Sequence, residues 1–495
     1  MRALRTLLPA LVLLAGLLAG AREADRVERW YEVKVAGNPA GWTRSLETRV
    51  PEGWRTESET RLRLKRGSTL LDMSTTGWMV ESADGKPLSG GRTQAGSGAS
   101  QRVTWRYTPE GVIERTTDGD RVTERTLPSP PADALPPHAA DAEATPLRAS
   151  TATEIVQRIF EPAQGALPQR VRAVRAGPER ISVAGTPVDA MRWKLEGPLV
   201  PPDTLEWRGA DGALLRSLSP TGLGAIESVL STRERAKVAF ERAGDAPEVM
   251  VASFAECDRP MADPLRLRQA VLRVRSKSGT PEAPLSAGYQ RVRALDGGGF
   301  EVTVDLDQPP AAATDAERAD PAYLASSPMI DARDDEIAAF AREAVADAPA
   351  VASARLERLR AATYARLSRK NLASALASAS DAFRSRSGDC TEHAVLLAAL
   401  LRAQRIPARV VAGLVWCDDF GGRHDVFGWH LWTQALVGGR WVDLDATLPP
   451  GGPGFHPGHI ALAATALSDP AGDPSWTRLL GALGNLRIEV VHGAR

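Results

Sequence analysis

The stretch SRSGDCTEHAVLLAALLRAQRIPARVV, Ser385 to Val411, decides how this chain is read. Ser, Gly and Asp interrupt a helical pattern up to Cys390, and from Thr391 to Gln404 the pattern resumes. Ala394 to Leu401 are apolar without a break, so this helix is expected to be buried nearly all round, at the centre of its domain. Cys390 stands in its first turn. Unpaired backbone N–H groups at a helix start favour a thiolate over a thiol and can hold the oxyanion of a tetrahedral intermediate. Thr391, Glu392 and His393 share that turn and are candidates for oxyanion donors or supporting hydrogen bonds, with Glu392 expected to cap the helix.

A thiol nucleophile needs a base. His430 lies in GWHLW at the start of a strand-like run, where alternation puts His430 and Trp432 on one face. Gly438-Gly439 reads as a two-residue hairpin loop, and beyond it WVDLDAT puts Trp441, Asp443 and Asp445 on one face. A carboxylate there would hold the imidazole in the required tautomer. Trp429 and Trp432 are candidate cleft walls. A cysteine in a buried helix is more often inert packing, and Cys390 with His393 has the Cys-x-x-His spacing of a metal pair, to which Cys417 or His424 would add a ligand. No further pair at ligand spacing completes such a site, so no metal and no cofactor is assigned. His456 and His459 follow a Gly-Pro loop and are expected to face solvent.

Three motifs in this order resemble the transglutaminase-like superfamily: GDCTEHAVLLAALLRAQRIPARVVAGLV (Gly388–Val415), the H-x-W strand (His430–Trp432) and G-G-x-W…D-A-T (Gly438–Thr447). The resemblance covers roughly Asp331 to Leu467. It implies a papain-like core performing acyl transfer through a thioester, with the family's catalytic cysteine on Cys390, its histidine on His430 and its aspartate on Asp445. Asp443 stands where the family often has another residue, so two carboxylates share the face, and Asp445 is chosen for its place before Ala446-Thr447.

Working outward, the residues before Asp331 read as β-rich: Trp30–Val35, Arg61–Lys65, Gln101–Thr108 and Val271–Lys277 alternate apolar and polar. Asp-Gly pairs at 84–85, 118–119, 211–212 and 296–297 fit tight turns between strands. VAGNPAGW (Val35–Trp42) and VAGTPVDAMRW (Val183–Trp193) hint at a duplicated unit. The expected fold class is multidomain, N-terminal β-rich domains followed by a C-terminal α+β papain-like, transglutaminase-like domain. The expected divisions are a signal peptide at 1–21, a β-rich domain at 22–127, a Pro/Ala-rich linker at 128–152 and a second β-rich domain at 153–240. There follow a small β-domain at 241–310, a linker at 311–330, the catalytic domain at 331–470 and a C-terminal extension at 471–495.

Arg2 and Arg5, a short apolar run and Ala19-Gly20-Ala21 carry the signal-peptide reading, which makes the protein exported, periplasmic or secreted. No later segment is long and apolar enough to cross a membrane. Export favours disulfides, yet three cysteines leave at least one thiol unpaired. With 61 basic and 61 acidic residues the formal charge is zero, which gives no footprint for nucleic acid. The expected partner is a protein or peptide substrate, and nothing in the sequence sets the oligomeric state. The expected function is a thiol-dependent protease or amidase, with hydrolysis favoured over amine cross-linking. The reading from another class is a non-catalytic peptide-binding or envelope-scaffolding protein using a papain-like cleft.

Overall fold

The computed structural model describes residues 25–66, 69–96, 99–118, 121–221, 224–242, 253–277, 281–369, 377–420, 422–468, 479 and 482–493. The expected signal peptide and the Asp118-Gly119 turn fall wholly or partly outside them. The chain divides into two units, one ending at Val249 and one running from Met250 to Arg495.

The N-terminal unit is a fifteen-stranded sheet. β1 (Arg26–Val35), β2 (Asn38–Val50) and the strands from β3 (Gly53–Arg66) to β8 (Arg121–Leu127) pair in sequence order, each antiparallel to the one before. A second run follows: β9 (Ala134–Leu135), β10 (Glu154–Ile159), β11 (Gln169–Val183), β12 (Thr186–Glu196), β13 (Thr204–Arg208), β14 (Leu214–Ser219) and β15 (Ile226–Ser231). β15 then lies antiparallel to β1, with Ser231 opposite Trp30. This pairing joins the stretches 22–127 and 153–240, expected as separate domains, into one sheet. Alternation in sequence reports a strand's two faces but not which strand borders it. The two VAG fragments are like hairpins: Ala36-Gly37 and Ala184-Gly185 both take positive φ at both positions (51° and 81°, 50° and 90°), as a two-residue turn between twisted strands requires.

The stretch 128–152, expected as a linker, contains helix α1 (Pro137–Ala149). Pro137 occupies the first helical position, where its missing N–H has no partner to lose, and the alanines favour helix, so Pro/Ala richness misled. A second helix, α2 (Arg233–Glu241), is capped by Thr232, whose hydroxyl accepts from Arg235 N.

Glu161, buried in this unit, is pushed up to about 8 by its burial, offset only by a backbone N–H from Ala163. The folded state therefore holds a proton that the unfolded chain releases near 4.5, and stability falls as pH rises between those values. Glu161→Gln should remove this slope. Its melting temperature should pull ahead of wild type from pH 6 to pH 8, corresponding to on the order of 1 kcal/mol per pH unit; parallel melting curves would refute the assignment.

The C-terminal unit is built on a second sheet. Its order is β18 (Gln290–Ala294), β19 (Phe300–Asp305), β17 (Gln269–Ser276), β24 (Leu486–His492), β16 (Ala255–Cys257), β21 (Arg423–Val437), β20 (Ala408–Phe420) and β23 (His459–Thr465), with β22 (Arg440–Leu444) paired to β21. The stretches 241–310 and 471–495, expected as a small domain and an extension, thus share a sheet with the helical region. The expected linker 311–330 contains α3 (Asp315–Ala319), held by a capping box between Thr314 and Glu317. Glu317 also accepts from Arg409 Nη1 (2.5 Å) and Trp441 Nε1 (3.2 Å), which fastens α3 to the sheet.

Three helices, α4 (Asp335–Ala344), α5 (Ala352–Arg366) and α6 (Ala379–Ser385), surround α7 (Cys390–Ala403). Leu396, Leu397, Leu400 and Leu401 of α7 are buried with Ile337, Leu359, Val410 and Leu431 in one core. The other side of the sheet buries Phe427, Trp432, Ile460 and Ile488. β20 and β21 are therefore covered on both faces, which explains their near-continuous apolar runs. Among the described residues no helix is long and apolar enough to cross a membrane.

Candidate active site

The Gly-Asp-Cys sequence has a local cause. Asp389 is the N-cap of α7 and accepts from Thr391 N at 2.9 Å. Glu392 reaches back to Asp389 N at 2.9 Å and also accepts from Ala377 N at 3.1 Å. This reciprocal box stabilises the helix start by about 1 kcal/mol. A Cβ on Gly388 would lie 2.3 Å from Glu392 Cβ, so glycine is required for the carboxyl to fold back. Burial, then the nearby Asp389, pushes Glu392 well above the usual carboxylate range. His393 donates from Nδ1 to the Asp389 carbonyl at 2.7 Å.

Asp389 thereby takes the backbone N–H groups of Thr391, Glu392 and His393, through its carboxylate or its carbonyl. They are not open to an oxyanion, contrary to the expectation from helix position alone. Cys390 sits at the first helical position, partly exposed, and contributes the remaining first-turn N–H.

His430, 8% exposed on β21, has Cys390 among the side chains that act on its charge. His430 Nε2 lies 2.8 Å from Asp445 Oδ2, so Nδ1 is the ring nitrogen left for the thiol. Asp445 Oδ1 accepts from Thr447 N (2.8 Å) and Thr447 Oγ1 (2.7 Å). Burial alone would push His430 down, but the Asp445 carboxylate, with Cys390, outweighs it and holds the imidazole well above its ordinary value. Burial would likewise raise Asp445, yet His430 and His459 hold it well below the usual range. The buried Arg360 of α5 donates to the carbonyls of Asp445 (3.1 Å) and Leu448 (2.6 Å), fixing the loop that carries the aspartate.

Asp443 is elsewhere. Its Oδ1 accepts from Trp432 Nε1 (2.8 Å) and Gln434 Nε2 (2.7 Å), and its Oδ2 from Tyr289 N (3.0 Å). Burial raises it above the usual range despite these donors. Trp432 is 1% exposed and so belongs to the interior rather than to an open cleft wall. Trp429 is half-buried, with Nε1 on the Ser253 carbonyl at 2.7 Å. Cys257 and Cys417 are unpaired; burial pushes Cys257 up to about 11 and raises Cys417. His424 is exposed, with Asp419 near its ring.

His456 and His459 are buried, at 5% and 1% exposure, which corrects the expectation that they face solvent. His459 opens β23 and places Nε2 3.1 Å from the Asp445 Oδ2 that also receives His430. The apolar run that follows, IALAAT, marks a strand entering the core and is the signal that pointed to its burial. One ring nitrogen or carboxylate oxygen from each of His430, Asp445 and His459 lies within 4.8 Å of the others, near enough to surround an ion. Both imidazoles address one oxygen at hydrogen-bond distance while Thr447 fills the other, so the cluster reads as a hydrogen-bonded chain and not as a ligand set.

No curated protein matches the chain. Among solved structures it is similar to a proposed cysteine protease from Cytophaga hutchinsonii, at 18% identity over 40% of this chain and 79% of that one (TM-score 0.26). It is similar also to a β-barrel-like protein of a domain of unknown function from Brucella abortus, at 9% over 43% and 98% (TM-score 0.32). A third is the periplasmic domain of TgpA from Pseudomonas aeruginosa bound to ethylmercury, at 18% over 39% and 96% (TM-score 0.23). Likenesses this distant carry no argument. The sequence itself is more telling: residues 338–446 match the transglutaminase-like superfamily, and the C-terminal region of helices and strands carries a transglutaminase-like domain.

Proposed function

We propose that this protein is an exported thiol-dependent acyl-transfer enzyme acting on a carboxamide or peptide bond, with Cys390 as nucleophile. The observation that carries the proposal is His430, hydrogen-bonded through Nε2 to Asp445 Oδ2 at 2.8 Å, with Cys390 at the start of α7 among the groups acting on its charge. His430 already holds the proton of the Cys390 thiol, the sulfur attacks the carbonyl carbon as thiolate, and the Cys390 N–H faces the resulting oxyanion. The tetrahedral intermediate expels ammonia or an amine, which leaves with the proton from His430, and a thioester remains on Cys390. Water, deprotonated by His430, then attacks the thioester and releases the acid. Asp445 keeps His430 oriented and stabilises its charged form. We favour water over an amine as acceptor because the N-terminal residues read as an export signal.

A binding module has no use for a nucleophile, base and orienting carboxylate together, which supports the enzyme reading. The test is incubation with an unfolded protein and a fluorescent primary amine, read by mass spectrometry. New peptide termini or glutamine deamidation, absent with Cys390→Ala, is the expected result. Amine incorporation without cleavage or deamidation would redirect the reading to cross-linking. No product, together with no adduct on Cys390 from a peptide bearing a thiol-reactive electrophile, would sink it.

A further inference from the structure

His459 is unusual in what its two ring nitrogens face. Nδ1 lies 3.0 Å from the carbonyl oxygen of His456 and Nε2 lies 3.1 Å from Asp445 Oδ2. Both partners are acceptors, and a neutral imidazole has only one N–H. Asp445 cannot supply the missing hydrogen at low cost, because its other oxygen accepts from Thr447 and Oδ2 also meets His430 Nε2. Only the imidazolium form satisfies both contacts.

We propose that His459 is a positioning residue for the Cys390–His430 pair: a buried cation that pins Asp445 at the Oδ2 it shares with His430 and balances the charge of the site. This rests on the acyl-transfer reading above. With Cys390 as thiolate, His430 as imidazolium, Asp445 as carboxylate and His459 as imidazolium, the four groups sum to zero in an interior where a net charge is expensive.

The surroundings fit. The His459 ring lies 4.3 Å from the Phe455 ring and 5.1 Å edge-on to Trp432, measured between centroids, so it is walled by aromatic faces. Four other titratable groups act on it: Asp445, His430 with ring centroids 5.5 Å apart, His456 at 4.3 Å, and Asp443 on β22. His456 accepts from Gly458 N through Nδ1 at 3.1 Å. Burial, followed by repulsion from His459, holds it well below its ordinary value, so it stays neutral beside the cation.

The sign of the effect is fixed by electrostatics. A cation near the pair stabilises the thiolate and disfavours protonation of His430, moving the pH window of the ion pair downward at both ends. His459→Gln retains a donor toward Asp445 but removes the charge. The rate of iodoacetamide alkylation at Cys390, followed site by site by mass spectrometry across pH, is expected to show the alkaline limb raised by roughly one pH unit and the acid limb raised by a smaller step. A role in packing alone would scale the rate without moving the limbs, and unmoved limbs overturn the inference.

A second measurement reads the protonation state of the wild-type ring directly. In wild-type protein labelled with 15N-histidine, two rings, those of His430 and His459, should carry two N–H protons each at pH 7.5, and one of the two sets of signals should be missing from His459→Gln. A neutral His459 ring overturns the inference. The two readings fail separately: Cys390 alkylation indifferent to His430→Ala in wild type removes the acyl-transfer reading and this inference with it. A His430-dependent profile that His459→Gln leaves in place removes this inference alone.

Discussion

Cys390→Ala is expected to lower acyl-transfer turnover by ~10⁴-fold or more while leaving the melting temperature nearly unchanged. The reason for the separation lies in how α7 begins. Its cap is made by Asp389 and Glu392, neither of which uses the cysteine side chain. Alanine is the best helix former, and Cys390 is partly exposed and outside the apolar clusters. Neither of the other two cysteines replaces the nucleophile. Burial raises both Cys257, to about 11, and Cys417, so neither presents much thiolate near neutral pH. Steady-state rates paired with thermal melts check this. A residual rate above roughly one hundredth of wild type would place the chemistry at another group.

The second large effect distinguishes two carboxylates that sequence places on one face. Asp445→Asn is expected to lower turnover by ~10³–10⁴-fold, and Asp443→Asn by less than about tenfold. Asp445 holds His430 in its charged form. Its amide would pull the alkaline limb of Cys390 alkylation to lower pH, since the imidazole loses the charge that keeps it protonated. Asp443 instead gathers three donors, from Trp432, Gln434 and Tyr289. An asparagine there has one acceptor oxygen where two were in use, so at least one donor is stranded, for about 1–3 kcal/mol of stability. The profile for Asp443→Asn should thus show a lower melting temperature with the limbs in place. If the two variants exchange behaviours, Asp443 is the orienting carboxylate.

What the sequence discloses here is local, and what it withholds is not. The apolar run from Ala394 to Leu401 announces a buried helix because period and composition are properties of neighbours in the chain. His430 and Asp445 come within reach because β21 and β22 are joined by the tight Gly438-Gly439 turn, which fixes register over a few residues. The D-x-x-E spacing of Asp389 and Glu392 is equally local and carries the capping box. It is why helix position alone misassigned the N–H groups of Thr391, Glu392 and His393. By contrast, β15 against β1 and β16 against β21 pair residues separated by well over a hundred positions. No local pattern specifies such partners. The burial of His459 depends on β23 lying beside β20, and its hydrogen bond to Asp445 on where the loop after β22 turns; the sequence signals a strand but not its neighbour.

β16 is only three residues long, yet it pairs with Ala255 opposite Phe427 on the strand that holds His430. Its other edge is taken by β24, close to the end of the chain. A gene fragment cut at Asp331 would keep every residue of the Cys390–His430–Asp445–His459 cluster and still encode β21 with a bare edge, open to pairing with other chains. The smallest piece that evolution could have moved between proteins, or that an expression experiment can isolate, therefore starts near Met250 and not where the helices begin.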